Sequence, residues 1–324
     1  MTTPSPSSSR GPLLNRLLKI VPCLVSLLLP LAAQAETQPA APAADGTVPR
    51  IATVDWTIAE TLLALGVTPL AMGDVESYRA WVGEPTLPAD VVDIGLRMQP
   101  NRELLAELKP DLILISPLMA SLESTLSRIA PVQSIALYEP DADLWQRLRE
   151  ATLTIAALVN RTAEAERQLA ALERDLAQMK GALPADLPPL LVVQFIDERH
   201  VRVFGRHSLF EAVMGRLGLR NAWQGETNAW GFSVVSLEQF LTLPEARLVV
   251  VDPIPVGVSE RLQEPGLWQH LPLVKQGKVL HLPAVWSFGG LLAARRFAEL
   301  LSEALQEDAA SDLATHVSAE GAIQ

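Results

Sequence analysis

Seven tryptophans stand against two tyrosines in this chain of 324 residues, and three of the seven lie in stretches rich in glycine, proline and polar residues. Trp81 sits in Tyr78-Arg79-Ala80-Trp81-Val82-Gly83-Glu84-Pro85, Trp230 in the stretch from Trp223 to Gly231, and Trp286 in Pro283-Ala284-Val285-Trp286-Ser287-Phe288-Gly289-Gly290. A tryptophan flanked by backbone-permissive residues at a strand end can line a cleft with a large, rigid aromatic face. The alternative for each is that it fills the core of its own lobe, where Trp56, Trp145 and Trp268 are assigned. Arg97 follows Gly95-Leu96 and precedes Met98-Gln99-Pro100. That places a permanent cation with a planar fork of donors on the rim where α/β lobes meet their ligands. It either faces an electron-rich ligand or pairs with a loop acid such as Glu84 or Asp93.

The short signatures of catalysis are missing: the chain has no GxSxG, no GxxxxGK[ST], no GxGxxG and no HExxH. The five histidines are scattered, and the closest two, His200 and His207, read as solvated loop residues rather than metal ligands. No sequence-close pair of acids stands where only a catalytic role would explain it. No catalytic constellation is identified among these residues.

These residues must be positioned by the rest of the chain, whose first part reads as an address. Arg10, Arg16 and Lys19 precede an apolar run from Ile20 to Leu31 that ends in Ala33-Gln34-Ala35. The run is shorter than the roughly 20 residues of a membrane span, and its small-residue end fits cleavage after Ala35. The single cysteine, Cys23, lies inside this run without the small residues of a lipoprotein site, so the mature chain is expected to have no thiol. The leader predicts export from the cytoplasm. The net charge is −11, and removing the basic leader makes it more acidic, which argues against nucleic acid as a partner. Nothing after Leu31 is long and apolar enough to enter a membrane.

After an Ala- and Pro-rich lead-in, short apolar runs alternate with amphipathic helical patterns. Strands are expected at Arg50–Val54, Pro69–Met72, Val91–Ile94, Asp111–Ser116 and Val132–Leu137, with helices at Ala59–Leu65, Asn101–Leu108 and near Ser121–Ile129. The second half repeats the pattern, with strands at Leu190–Ile196, Val201–Phe204 and Arg247–Asp252 and helices from Ser208 and over Ser236–Leu243. Such alternation predicts α/β lobes with mainly parallel sheets. Between them, Asp141 to about Lys180 is helical in pattern, divided at Asn160. Its second piece places Ala165, Leu169, Leu172, Leu176 and Met179 on one face, and about 19 residues at 1.5 Å each span roughly 28 Å, enough to bridge two lobes. The expected organisation is a signal peptide over 1–35, an N-terminal lobe over 36–160, a bridging helix over 161–181 and a C-terminal lobe over 182–324.

The stretches Tyr78 to Pro85, Asp93-Ile94-Gly95-Leu96-Arg97, Asn221 to Gly231 and Pro283 to Trp286 resemble the periplasmic ferric hydroxamate siderophore-binding proteins of ABC importers, and the similarity runs from about Arg50 to the helix after Gly290. The resemblance implies a periplasmic binding protein and not an enzyme, with no protein metal site and no resident cofactor, built of two βα lobes joined by one long α-helix, with a shallow aromatic cleft and little closure on binding. It implies that Arg97 bonds the iron-coordinating hydroxamate oxygens and that Trp81, Trp230 and Trp286 line the cleft, with Asn228 and Trp223 at or near it and Trp223 mainly as a support. Met119 and Phe288 stand where the family has ligand-contacting tyrosines, so two phenolic hydroxyls are missing and polar selectivity changes.

A hexadentate siderophore saturates Fe³⁺ with hard oxygens, so the protein is expected to read the organic shell and to ligate no metal. The expected partners are the ferric siderophore and an inner-membrane ABC permease, met by a monomer through one acid on each lobe, Glu123 and Glu238. Acids in a helix's first turn also stabilise the helix dipole without any partner. Two other readings stay open: the same fold with another chelate, such as a citrate-hydroxamate siderophore, haem or a corrinoid, and an exported enzyme on a similar scaffold, which would need a catalytic dyad in the cleft.

Overall fold

The structure, a computed structural model, describes residues 48–321 except Pro140, Asp141, Pro244 and Lys278, with backbone alone from residue 311. The expected signal peptide, Cys23 and most of the lead-in lie outside the described residues. In chain order the first lobe runs β1 (Ile51–Thr53), α1 (Trp56–Ala64), β2 (Ala71–Met72), α2 (Val75–Trp81), β3 (Val92–Asp93), β4 (Gly95–Leu96), β5 (Gln99–Pro100) and α3 (Arg102–Leu108). It continues with β6 (Leu112–Ile115), a 3₁₀ turn (Pro117–Leu122) leading into α4 (Glu123–Leu126), and β7 (Val132–Ser134). The sheet order is β3-β2-β1-β6-β7 and every pairing is parallel. Helices cover both faces of such a sheet, which is why Leu112 to Ile115 is buried and apolar without alternation. The helix starts follow their caps: Asp55 accepts from the N–H groups of Thr57 and Ile58 to open α1, and Asn101 accepts from Leu104 N–H to open α3.

Two helices then cross between the lobes, α5 (Leu144–Leu158) and α6 (Thr162–Ala182). Asn160 stands between them with φ of 55°, a left-handed turn that asparagine tolerates. α6 has 21 residues, and it buries Ala165, Leu169, Leu172 and Leu176, with Met179 partly buried on the same core.

The second lobe runs β8 (Leu190–Phe195), β9 (His200–Phe204), α7 (Leu209–Leu217), β10 (Phe232–Ser236), a 3₁₀ turn (Leu237–Thr242) and β11 (Arg247–Val251). It ends with α8 (Val258–Gln263), α9 (Leu267–His270), α10 (Pro272–Lys275), β12 (Val279–Leu282) and α11 (Leu291–Gly321). The sheet order is β10-β9-β8-β11-β12. β8, β11 and β12 are parallel, whereas β9 runs antiparallel to both β8 and β10. This sheet is therefore mixed, because the four residues between β8 and β9 are too few for a parallel crossover. The helix expected over Ser236–Leu243 is instead the end of β10 and a 3₁₀ turn, and Ser236 makes no side-chain cap there.

One apolar core runs through both lobes. It joins Ile58 and Leu62 of α1, Leu148 and Ile155 of α5, Leu172 of α6, Val213 of α7 and Phe297 of α11. Truncating Leu172, fully buried in this seam, to alanine would cost about 2–5 kcal/mol. α6 is thus one member of a packed helical layer rather than an isolated strut, and this layer forms the floor against which the two sheets are held.

Candidate functional site

Between the lobes lies a cavity of about 600 Å³. Its wall from the first lobe begins at Asp55, whose Oδ1 caps α1 and whose Oδ2 accepts from the Ser116 hydroxyl at 2.6 Å. Arg97 and Met98 form the two-residue turn of the β4–β5 hairpin. From that turn the Arg97 guanidinium reaches the cavity, with its Nε donating to the Val54 carbonyl at 3.0 Å and its Nη2 lying 3.6 Å from Asp55 Oδ2. The guanidinium lies 4.5 Å from the Trp56 ring centroid and 5.9 Å from that of Trp286, so two aromatic faces shelve the cation. Burial lowers its pKa, and the charges of Asp55 and Asp74 oppose that shift; an arginine stays protonated under such conditions.

The opposite wall is aromatic. Phe288 stands at its centre, with ring centroids 5.2 Å from Trp286, 5.7 Å from Trp230, 5.8 Å from Phe232 and 6.2 Å from Tyr138. Tyr138 also faces Trp230 at 5.6 Å. The Tyr138 hydroxyl donates to the Gly289 carbonyl at 3.1 Å, and burial pushes the phenol well above its ordinary pKa. One side of α5, at Leu148, Ala151, Thr152 and Ile155, forms an aliphatic floor. The cavity thus combines flat apolar surface with a shelved cation at one edge, a combination suited to an organic scaffold that presents oxygens on one side. Among the described residues no group of three or more His, Cys, Asp or Glu side chains is placed to hold a metal ion.

Arg97, Trp230, Trp286 and Phe288 are brought together in this cavity, as their sequence contexts suggest. Arg97 pairs with neither Glu84 nor Asp93: its acid is Asp55. Two expectations, for Trp81 and Met119, need correction, while Asn228 and Trp223 stand near the cavity without lining it. Trp81 is not among the residues that line the cavity; it ends α2, packs on the shared core, and its ring centroid lies 5.9 Å from the guanidinium of Arg202, which does line it. Met119 is 1% exposed within the first lobe's core, because the 3₁₀ turn points it inward and turns its neighbour Leu118, 51% exposed, to the cavity. Asn228 instead shapes the loop, its Oδ1 accepting from the N–H groups of Trp230 at 2.9 Å and Phe232 at 3.3 Å, which presents Trp230 to the cavity. Trp223 is a support beneath that loop. A Cβ on Gly225 would come within 2.6 Å of its ring and one on Gly205 within 2.8 Å, so only glycine fits beside it.

Sequence reading missed Asp55, Tyr138 and Arg202, all of which line the cavity. Each carried a signal. Asp55 is a capping residue type and stands one residue before α1, which starts at Trp56 rather than at the expected Ala59. Tyr138 is one of only two tyrosines, and Arg202 interrupts an otherwise apolar strand between Val201 and Val203. The docking candidates Glu123 and Glu238 are exposed, and Glu238 already accepts from Arg199 at 2.9 Å.

Comparison with known proteins agrees with this architecture. The family model described as periplasmic binding protein matches residues 51–285. The chain is 37% identical over 257 residues to the iron(3+)-hydroxamate-binding protein FhuD of Escherichia coli (strain K12), covering 79% of this chain and 86% of that protein. It is 26% identical over 258 residues to the Fe(3+) dicitrate-binding periplasmic protein FecB of the same organism, covering 78% and 83%. Among solved structures, the Fe³⁺–Desferal-bound siderophore-binding protein FhuD from Vibrio cholerae aligns with a TM-score of 0.76 and 29% identity over 80% of this chain and 98% of that one.

Proposed function

The chain belongs to the periplasmic binding protein family, and on that premise we propose that it captures a ferric hydroxamate-type siderophore between its lobes and delivers it to an inner-membrane ABC permease. The observation that carries this reading is the Arg97 guanidinium, shelved on Trp56 and Trp286 at the edge of an aromatic cavity. The aromatic faces bury the scaffold of the chelate while the guanidinium answers the electron-rich oxygens around iron. The siderophore's own oxygens fill the coordination sphere of Fe³⁺, so no residue of the chain ligates it. The protein acts in the periplasm as a monomer and catalyses no reaction. The similarity to the E. coli hydroxamate-binding protein supports this choice of chelate over dicitrate, to whose binding protein the identity is lower.

Tryptophan emission tests the reading, since Trp230 and Trp286 border the cavity and a coloured ferric chelate in contact with them quenches their fluorescence. Titration with ferric hydroxamates is expected to give saturable quenching, matched by a 1:1 calorimetric isotherm. Absence of both signals would overturn the ligand assignment.

A further inference from the structure

Among the described residues two cations line the cavity, Arg97 and Arg202, and of these Arg97 alone has a carboxylate within ion-pair distance. Arg97 has Asp55 beside it, 3.6 Å away. Arg202 enters from the other lobe, on β9, where Val201 and Val203 turn into that lobe's core and the side chain between them is left facing the cleft. Its polar contact is Oε1 of Gln194, at the limit of bonding distance at 3.5 Å. Its other neighbours are rings, Phe232 at 5.6 Å and Trp81 at 5.9 Å from the guanidinium. Among the described residues no carboxylate lies within ion-pair distance of it. Burial lowers its pKa with no neighbouring charge to offset the shift. A half-buried guanidinium that rests its apolar stem beside two rings and turns its charged end to the cavity is free to take an anion from a ligand there.

We propose that Arg202 is a specificity-determining residue that selects ferric chelates carrying a peripheral carboxylate, the iron-bound oxygens meeting Arg97 and the free carboxylate meeting the guanidinium fork of Arg202. The inference rests on the siderophore reading of this cavity and deepens it by naming a charge class. The placement explains why a cation occupies a position where an aliphatic side chain would pack a neutral scaffold equally well. An arginine also presents two parallel N–H donors to a carboxylate, which a lysine cannot match. If Arg202 served only to stack on Trp81 and Phe232, the charge of the ligand would make no difference.

The test compares two ferric complexes of Desferal, a linear trihydroxamate with a terminal amine, one acetylated there to a neutral end and the other succinylated to a carboxylate. Calorimetry on the whole mature protein is expected to show the succinylated complex bound about tenfold or more tightly, with the ratio falling to within about threefold in Arg202→Gln. Arg202→Lys, which restores the charge, is expected to recover part of the preference. The calorimetric stoichiometry reports the folded fraction of each variant, so the ratio is read on competent protein. Equal binding of the two complexes by the wild-type protein, or a preference unchanged in Arg202→Gln, overturns the inference and leaves the siderophore reading standing. Binding of neither complex overturns both.

Discussion

The indole N–H of Trp286 donates to Oγ1 of Thr57 across 3.0 Å, joining two residues 229 positions apart. The same hydroxyl donates to the Phe288 carbonyl at 2.7 Å, so Thr57 is satisfied on both sides by the loop that carries the aromatic wall. Tyr138 holds the Gly289 carbonyl, and buried Glu60 accepts from the N–H groups of Gly290 and Ala293 where α11 begins. The loop of the second lobe is therefore pinned to the first at three successive points, and α6 and α11 add a shared core beneath it.

That pinning predicts little hinge motion. The lobes are expected to turn by only a few degrees on binding, so the radius of gyration from small-angle scattering is expected to be the same with and without chelate. A large decrease on binding would contradict the pinned arrangement.

Arg97→Ala is expected to weaken binding of the ferric ligand by about 1.5–3 kcal/mol, the scale of a charge-assisted hydrogen bond. The fold is expected to survive. Asp55, left without the guanidinium, still accepts from the Ser116 hydroxyl and from the N–H groups of Thr57 and Ile58. Calorimetry beside a thermal melt checks both halves, and an unchanged affinity would remove Arg97 from the site.

Glu60 makes stability depend on pH. Burial pushes its carboxyl from 4.5 up to about 8, against the pull of the Gly290 and Ala293 N–H groups and with Asp55 adding to the push. Between these two values the folded chain holds a proton that the unfolded chain releases, so this contribution to stability is full below 4.5 and is lost as pH rises through about 8. Glu60→Gln removes the ionisation. Urea melts are expected to show the variant gaining on the wild type between about pH 5 and pH 8.5, and parallel curves would contradict the buried, protonated carboxyl.

Docking is expected to use one acid from each lobe. Glu123 stands exposed in the first turn of α4, and Glu238 is held at a pKa of about 2 by the Ser236 hydroxyl and Arg199. Glu238 is therefore charged when it meets a partner. Its pair with Arg199 is a surface ion pair, which costs little to exchange for a basic residue of a permease. Reversing both charges is expected to abolish siderophore-dependent growth while leaving ligand affinity in solution unchanged. Normal growth of the double variant would rule the docking role out.

The parts of the fold legible in the sequence are those set by local pattern. Asn101 before an apolar period gave α3, and the spacing of Leu169, Leu172 and Leu176 gave the buried face of α6. The reversal of β9 was not legible, because Val201 to Phe204 reads as a buried strand in either direction and only the short connection from β8 decides. The cavity followed the same division. Arg97 and Trp286 announce themselves by their loop contexts, but Asp55, Tyr138 and Arg202 become neighbours of those residues only once two sheets and α5 converge. Met119 and Leu118 show the limit of alignment by motif: a one-residue rotation inside a 3₁₀ turn decides which of the two meets the cavity.

Anomalous scattering at the iron absorption edge, from crystals of the protein grown with a ferric trihydroxamate, tests the central claim most directly. The account predicts one iron peak inside the interlobe cavity, between the Arg97 guanidinium and the wall of Tyr138, Trp230 and Phe288, with its whole coordination sphere supplied by the chelate. An iron peak outside that cavity, or one ligated by a side chain of the protein, would contradict it.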